Sequence, residues 1–425
     1  MKKPKPIYLD YAASVPLRPE VARAMRAAER VFGNPSSLHS FGQAARALVD
    51  RARERIAEEV GAGFREIAFT GSATEANNLA LRGVVAGFRR QALGVSDRET
   101  KRILEPSAYR LAPRIIISAI EHESVLETAR DLERSGEAEL VVIPVNRRGI
   151  VDAKTLAAAL DERTVLVSVM YVNNETGVIQ PIQKIGEIIK SSKQFGPELT
   201  AEGLKAQSLF PLFHTDASQA LAYLDCDVGK LGVDLMTLSG HKIGGPRGIG
   251  ALYVRNLKSS PIGGSPEGRQ TSNLKSIITG GEQEFGLRAG TENVAAIAGF
   301  AKAVELAVGK REKNRTYIAH IRELFLRELE RARVKFIENV PREGVSSHIL
   351  NLRFPGLAAE EFLVRLDLAG VAVSAGSACT ARAVLPSHVL LAMGMPRREV
   401  EECVRVSFGV ATTSAEVREA ARRFA

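Results

Sequence analysis

Residues 66–88 read EIAFTGSATEANNLALRGVVAGF, which is a short apolar strand pattern, a turn of small residues and a long helical pattern. The strand ends near Thr70, the turn covers residues 71–74, and the helical pattern continues to Phe88. A strand followed directly by a helix is the unit from which parallel sheets with covered faces are built. This stretch therefore predicts an α/β fold.

The same alternation continues along most of the chain. Its strand-like runs are EIAFT (66–70), RIIISA (114–119), ELVVIPV (139–145), TVLVSVMYV (164–172), PLFHTDAS (211–218), VDLMTLSG (233–240) and GIGALYV (248–254). Because these runs are continuously apolar rather than alternating, we expect a largely parallel sheet that is buried on both faces.

The pattern changes at about residue 309, where a long amphipathic helix begins and is followed by SHILNLRF and AAEEFLVRLDLAG. This change predicts a large domain over 16–308 and a smaller α+β domain formed by 1–15 and 309–425. Stretches rich in Ser, Pro, Gly and charge interrupt the large domain, and we interpret them as insertions near 90–112, 193–210 and 257–280.

Composition restricts the class of protein. The chain has 425 residues and a formal charge of +9, but its basic residues alternate with acids, only 5% of residues are aromatic and Trp is absent. This argues against direct nucleic-acid binding. Three scattered cysteines do not form a disulfide framework, and no apolar run approaches the ~18 residues of a membrane span. We expect a soluble, cytoplasmic protein with no membrane association and no signal peptide.

Two interpretations of the turn at residues 71–74 remain open. Backbone N–H groups where the helix begins, around Ala73 and Thr74, would bind a phosphate or another anion. Alternatively, Ser72 and Glu75 would form a capping box that only stabilises the helix. Both can hold together.

Lys242 and Asp216 follow two other strands, in SGHK (239–242) and HTDASQA (214–220). Each has an ordinary interpretation, because Lys242 can be a solvated lysine and Asp216 a helix cap. Together they are the pair that a pyridoxal phosphate site requires: an aspartate beside the pyridinium nitrogen and a lysine that forms a Schiff base.

Further polar residues follow strands. His122 lies at a strand-to-helix junction, and Asn173 follows an apolar strand. Alone, such a histidine is more often structural than catalytic. In open parallel sheets, however, ligands bind outside the carboxyl ends of the strands, where Thr74, Asp216 and Lys242 also fall.

Cys379 lies in GSACTARAVLPSHVL (376–390), among small residues that offer little to pack against. Cysteine is usually buried, so a loop setting suggests that this thiol is presented to another molecule. Cys226 and Cys403 lie in apolar contexts and are expected to be inert.

A set of motifs resembles one family. They are YLDYAAS (8–14), GNPSSLHSFG (33–42), GSATEANNLA (71–80), EHESVLETA (121–129), VNNETGVIQPI (172–182), HTDASQA (214–220), SGHKIGGPRGIGALYVR (239–255), GLRAGTENV (286–294) and VSAGSACTA (373–381). In this order the chain resembles the cysteine desulfurases of the NifS-like and IscS-like group. These are fold-type I pyridoxal-phosphate enzymes of the class V aminotransferase superfamily, with a mainly parallel seven-stranded sheet.

The resemblance implies roles for individual residues. Lys242 would form the bond to the cofactor. Asp216 would pair with the nitrogen of the cofactor ring, and His122 would stack on that ring. The remaining cofactor contacts it implies are Asn173 and Gln219 at the ring oxygen, Ala73, Thr74, Ser239 and His241 at the phosphate, and Thr291 reaching in from the second subunit of a homodimer. Asn34 and Arg405 would bind the substrate carboxylate.

The resemblance also implies the reaction. Cys379 would take sulfur from L-cysteine as a persulfide, leaving L-alanine, and deliver it to an iron–sulfur scaffold or a tRNA-thiolation protein. No metal site is expected beyond transient ligation of an iron–sulfur cluster by Cys379. The alternatives are a selenocysteine lyase or another class V enzyme, although an aminotransferase needs no thiol at this position.

Overall fold

The computed structural model describes residues 5–93, 112–192, 211–255, 274–376 and 386–425. Cys379 and most of the three predicted insertions lie outside these ranges. Within them, no helix is long and apolar enough to cross a membrane.

Strands and helices alternate through the first part of the chain and again near its end. The strands are β1 (Ile7–Tyr8), β2 (Ile67–Thr70), β3 (Arg114–Ser118), β4 (Glu139–Ile143), β5 (Thr164–Ser168), β6 (Leu212–Asp216), β7 (Leu235–Ser239), β8 (Gly250–Val254), β9 (Ile337–Glu338), β10 (Ile349–Arg353), β11 (Val371–Ala372) and β12 (Cys403–Ser407). The helices are α1 (Pro19–Glu29), α2 (Ser40–Val60), α3 (Ala73–Leu93), α4 (Glu123–Arg134), α5 (Ala153–Ala159), α6 (Ile182–Ser192), α7 (Val228–Leu231), α8 (Val294–Val308), α9 (Arg311–Arg331), α10 (Ala359–Leu368), α11 (His388–Ala392), α12 (Arg397–Val400) and α13 (Ser414–Phe424).

The central sheet has seven strands in the order β2-β8-β7-β6-β5-β3-β4. Only β8 runs antiparallel to its neighbours, so the prediction of a mainly parallel seven-stranded sheet is confirmed. Because β8 is antiparallel to both β2 and β7, those two strands point the same way. The carboxyl ends of β2, β3, β5, β6 and β7 therefore share one edge of the sheet.

Side chains along β2, β3 and β8 alternate between two apolar layers. In β3, Ile115 and Ile117 belong to the layer that contains residues of α3 and α4, whereas Ile116 belongs to the opposite, larger layer. Both faces are covered, which explains why the strands are apolar throughout rather than at every second residue.

Segments from both ends of the chain form the smaller sheets. Strands β12, β10 and β9 pair antiparallel, and β1 pairs in parallel with β11. Asp10 forms a parallel bridge to Ser407, which places the amino-terminal segment beside β12. The long helix expected from about residue 309 is α9. The domain boundaries at residues 16 and 308 stay a prediction.

A buried ion pair attaches the segment before Thr291 to the central sheet. The Arg53 guanidinium donates to both oxygens of Glu284 at 2.7 and 2.8 Å, and only 4% and 2% of the two side chains are exposed. Glu284 also accepts from the Phe69 backbone N–H at 2.8 Å. Glu284 and Phe285 both have positive φ, at 49° and 59°, a conformation that these contacts must hold in place.

We expect Arg53→Met to lower the free energy of unfolding by about 3–5 kcal/mol, because it leaves the Glu284 carboxylate buried without its cation. Chemical denaturation of the variant and the wild type measures this difference. The double variant Arg53→Met/Glu284→Gln should recover much of the loss, since the amide oxygen still accepts from Phe69. Equal losses in the single and double variants would show that packing, not charge, is responsible.

Candidate active site

Most of the predicted site residues lie at the shared carboxyl edge of the central sheet. Asp216 ends β6, Ser239 ends β7 and His122 begins α4 just after β3. The others on this edge are Ala73 and Thr74 after β2, Asn173 after β5, Gln219 after β6, and His241 and Lys242 after β7. Parallel strands thus bring together residues that are far apart along the chain.

The Asp216 carboxylate is buried and oriented from both sides. One oxygen accepts the Ser218 N–H at 2.9 Å, and the other accepts from the Asn77 side chain at 2.8 Å. Asn77 also donates to the Ser124 hydroxyl at 2.8 Å. Asn77 and Ser124 lie within GSATEANNLA and EHESVLETA, but only the fold reveals that they support Asp216.

The amine of Lys242 is held by the amino-terminal segment. Its Nζ donates to the backbone carbonyls of Ala12 and Ala13 at 2.6 and 3.0 Å. The Gln219 amide donates to the same Ala12 carbonyl at 2.9 Å. The motif YLDYAAS therefore contributes backbone oxygens that position the lysine, a role that its side chains do not reveal.

His122 is held in one tautomer. Its Nδ1 accepts the Ser124 backbone N–H at 3.1 Å, so a neutral ring carries its proton on Nε2. Burial lowers the pKa of His122, although the nearby Asp216 carboxylate opposes this shift and Lys242 adds to it. The imidazole is therefore neutral at neutral pH and can exchange a proton through Nε2.

Helix-capping contacts form at the turn at residues 71–74, with the Glu75 side chain bonded to the Gly71 N–H rather than to that of Ser72, and anion binding there stays a prediction. The Ser72 hydroxyl accepts the Glu75 N–H at 3.1 Å, and Glu75 reaches back to the Gly71 N–H at 2.9 Å. These contacts leave the helix start open to an anion, because the first N–H groups of a helix have no acceptor within it. A Cβ on Gly250 would lie 2.7 and 2.8 Å from backbone atoms of Ser72 and Ala73, so β8 packs tightly under the turn.

Ser239 and His241, which are predicted to contact the phosphate, lie at the neighbouring part of the sheet edge, and that contact stays a prediction. Ser239 is buried, and burial lowers the pKa of His241 to about 4, with the charges of Lys242 and Arg247 adding to the effect. A neutral His241 ring can donate a hydrogen bond to a phosphate without carrying a buried charge.

Asn173 uses its side chain to shape its own turn. Its oxygen accepts the backbone N–H groups of Glu175 and Thr176 and the Thr176 hydroxyl, all within 3.0 Å. Its nitrogen donates to the Ile120 carbonyl at 3.0 Å. Contact with a cofactor ring oxygen stays a prediction for this residue.

Arg405 is fully buried beside the turn that contains Asn173. It donates to the Asn174 carbonyl and to the Asp10 carboxylate, both at 2.8 Å. Its Nε has no hydrogen-bond partner among the described residues. Asp10, which the sequence did not single out, positions a guanidinium that retains donor capacity for a carboxylate.

Two predicted residues are not brought into this group. Asn34 is exposed, and its side chain accepts the Ser36 N–H in a local turn. Thr291 is also exposed. Within the described ranges, no hydrogen bond joins either residue to the others, and their roles stay predictions.

The two cysteines inside the described ranges are buried and unpaired. Burial raises the pKa of both Cys226 and Cys403 to about 12. Neither can supply a thiolate at neutral pH, which agrees with the expectation that they are inert.

Sequence reasoning missed Glu121, which is completely buried next to His122. It accepts from the Ser118 hydroxyl at 2.5 Å and the Met170 N–H at 2.7 Å. Burial raises the pKa of Glu121 to about 8, and the charge of Asp216 adds to the shift. The carboxyl therefore retains its proton at neutral pH. The motif EHES contains this residue, but nothing in the motif marks it as buried.

Glu121 makes stability depend on pH. Its contribution is complete below its ordinary pKa of 4.5 and is lost as pH rises through about 8, because the unfolded chain releases this proton first. Glu121→Gln keeps the acceptor and cannot titrate. We therefore expect the melting temperature of the wild-type holoenzyme, relative to the variant, to fall between about pH 5 and about pH 8. A difference that is constant across this range would contradict a protonated Glu121.

The fold and this site are typical of the large α/β enzymes that bind pyridoxal phosphate through a lysine. A family model described as aminotransferase class-V matches residues 7–94 and 103–419. The chain belongs to this family.

Its relatives include proteins named as cysteine desulfurase IscS. The one from Dictyoglomus turgidum is 38% identical, over 96% of this chain and 90% of its own. The one from Clostridium botulinum strain Hall is 34% identical, over 97% of this chain and 92% of its own.

Solved structures are also similar to this chain. A NifS-like protein superposes with a TM-score of 0.80 at 30% identity over 99% of this chain and 98% of its own. SspA in complex with cysteine has a TM-score of 0.75 at 32% identity, over 96% and 100%.

Pyridoxal phosphate is the cofactor of this enzyme, and the residues at the sheet edge fit it. The Ser218 hydroxyl is buried without a partner, as far as the described residues go, and it lies two residues after Asp216. A donor left unsatisfied in a polar pocket is typical of a site built for a ligand. The helix start at Ala73, the Asp216 carboxylate and the Lys242 amine supply the other groups that this cofactor needs.

Proposed function

We propose that this enzyme removes sulfur from L-cysteine, releases L-alanine and retains the sulfur as a persulfide on Cys379. The observation that carries the proposal is the placement of Asp216 at the end of β6 and of Lys242 just after the adjacent strand β7. The naming of its relatives as cysteine desulfurases and the motif GSACTA support the choice of substrate.

Bound pyridoxal phosphate supplies an electron sink for the substrate carbon that loses its proton. Asp216 would keep a proton on the ring nitrogen, since Ser218 and Asn77 fix its carboxylate. Arg405 would bind the substrate carboxylate through the donor capacity that Asp10 and Asn174 leave unused. Lys242 would remove the α-proton with its Nζ, and His122 would transfer a proton through Nε2.

Cys379 completes the reaction. Its thiolate attacks the sulfur of bound cysteine, a sulfur–sulfur bond forms, and the bond from that sulfur to the substrate Cβ breaks. The electron pair of the broken bond stays with Cβ, where a proton completes the methyl group of alanine. No external oxidant or reductant is needed until the persulfide is delivered.

We extend the proposal to partners and location. The persulfide would pass to an acceptor protein, either an iron–sulfur scaffold or a tRNA-thiolation protein, in the cytosol. The active form would be a homodimer in which Thr291 completes the partner's phosphate site. The exposure of Thr291 supports this arrangement, since an exposed side chain is available to a second subunit.

A two-product assay tests the proposed reaction. With L-cysteine and a thiol reductant, we expect alanine and sulfide to form in equal amounts. With one equivalent of L-cysteine and no added reductant, we expect about one alanine per Cys379 and no free sulfide, because no excess thiol is then present to reduce the persulfide. L-selenocysteine in parallel distinguishes a selenocysteine lyase, which would process it while leaving cysteine unchanged. Sulfide released without alanine would contradict the proposal.

A further inference from the structure

A buried histidine connects the sheet formed by β9, β10 and β12 to the carboxyl edge of the central sheet, where the candidate cofactor site lies. His348 lies immediately before β10, 3% exposed, with its ring stacked on Tyr223 at 4.1 Å between centroids and 19° between planes. Its Nε2 is 3.2 Å from the Gln219 side-chain oxygen, and its Nδ1 is 2.8 Å from the Ser346 hydroxyl. None of the motifs that identify the family assigns this histidine a role.

We infer that His348 is a positioning residue that fixes which end of the Gln219 amide faces the cofactor. The inference rests on the proposed role of Gln219 as a contact of the cofactor ring oxygen. It adds a specific relay: the Ser346 hydroxyl, the His348 ring, the Gln219 amide and the Ala12 carbonyl.

Hydrogen-bond chemistry allows one arrangement of this relay. The Ala12 carbonyl can only accept, so the Gln219 nitrogen faces it, at 2.9 Å. The Gln219 oxygen then faces His348 and can only accept, so His348 Nε2 must carry the proton. In a neutral ring, Nδ1 is left as the acceptor of the Ser346 hydroxyl. Each donor in the relay thus meets an acceptor.

The charges around His348 favour the neutral ring. Burial lowers the pKa of His348 to about 3, and the positive charges of Arg405, Lys242 and Arg322 act in the same direction. Tyr223 covers one ring face and is itself buried, and this burial raises the pKa of its hydroxyl. The relay is therefore unchanged across the neutral pH range.

The orientation of the Gln219 amide decides whether a hydrogen-bond donor or an acceptor faces the cofactor ring oxygen. Gln219 has two N–H groups on its nitrogen, of which Ala12 takes one, so the other can stabilise an anionic ring oxygen. A reversed amide would present its own oxygen and repel that anion. The Ala12 carbonyl, which also accepts from Lys242 Nζ at 2.6 Å, holds the nitrogen end of the amide, and His348 holds the oxygen end.

Matched variants of the holoenzyme test this inference. His348→Phe keeps the stacking on Tyr223 and removes the donor. His348→Gln places an amide nitrogen near the position of Nε2, whereas His348→Asn places one near Nδ1. Tyr223→Phe removes only a hydroxyl and is the control.

The readout is the pH midpoint of the visible absorption change of the bound cofactor, measured without cysteine. We expect His348→Phe and His348→Asn to raise this midpoint by about half to one pH unit, the size that one lost hydrogen bond supports. The ring oxygen becomes more basic when its donor is lost. His348→Gln and Tyr223→Phe should retain the wild-type value. A folded, cofactor-loaded His348→Phe with the wild-type midpoint would overturn the inference.

Nitrogen NMR tests the inference on the unchanged wild-type ring, and the His348→Gln variant serves only to assign its signal. The chain has seven histidines, and the His348 signal is the one absent in His348→Gln. We expect a neutral ring protonated on Nε2, and a proton on Nδ1 or on both nitrogens would overturn the relay. Because neither measurement uses cysteine, a failure to release sulfide would count against the proposed function and not against this inference.

Discussion

Lys242→Ala is expected to abolish both the visible absorption of the bound cofactor and the formation of alanine from cysteine. In the proposed mechanism, the amine is the group to which pyridoxal phosphate attaches and also the base that removes the α-proton. The carbonyls of Ala12 and Ala13 hold the wild-type Nζ in place, and no methyl group can replace it. We expect a fall in rate of about 10⁴-fold, the upper range for loss of a general base.

Absorption spectra and an alanine assay measure these two effects. Lys230→Ala is the matched control, because Lys230 forms an exposed pair with Asp225 at 2.8 Å that contributes little to stability. The control should retain both colour and activity. A Lys242→Ala variant that still forms alanine at the wild-type rate would remove the central residue of the proposed mechanism.

Cys379→Ala is expected to separate cofactor binding from sulfur transfer. The variant should retain the absorption of the bound cofactor, since the residues at the sheet edge are intact. Alanine and sulfide formation should both fall by orders of magnitude, because only a thiolate can accept the substrate sulfur in the proposed step.

Cys226→Ala is the matched control for this loss. Cys226 is buried and its thiol has a pKa raised to about 12, so its removal should leave sulfide release unchanged. Full activity in Cys379→Ala, or loss of activity in Cys226→Ala with the fold intact, would contradict the assignment of the sulfur acceptor.

Local patterns in the sequence were enough to predict the fold and the edge at which the site lies. The apolar strands and the helices after them define the sheet, since the period of the pattern follows directly from secondary structure. Polar residues placed after strands, such as Asp216 and Lys242, then identify the binding edge because parallel strands end together.

The partners of these residues could not be predicted in the same way. Asn77 supports Asp216 from a helix 139 residues away, and Asp10 pairs with Arg405 across 395 residues. No spacing rule connects such pairs, because their contact depends on how whole elements pack. For the same reason, burial of Glu121 and the stacking of His348 on Tyr223 appear only in the structure.

Detection of the persulfide on Cys379 is the most direct test of the proposed sulfur transfer. The holoenzyme is mixed with no more than one equivalent of L-cysteine carrying a heavy sulfur isotope, without added reductant, so that no excess thiol reduces the persulfide, and its peptides are examined by mass spectrometry. We predict that the peptide containing Cys379 gains one labelled sulfur atom while alanine appears in equal amount. Alanine formation with the label on Cys226, on Cys403 or on no cysteine would contradict it.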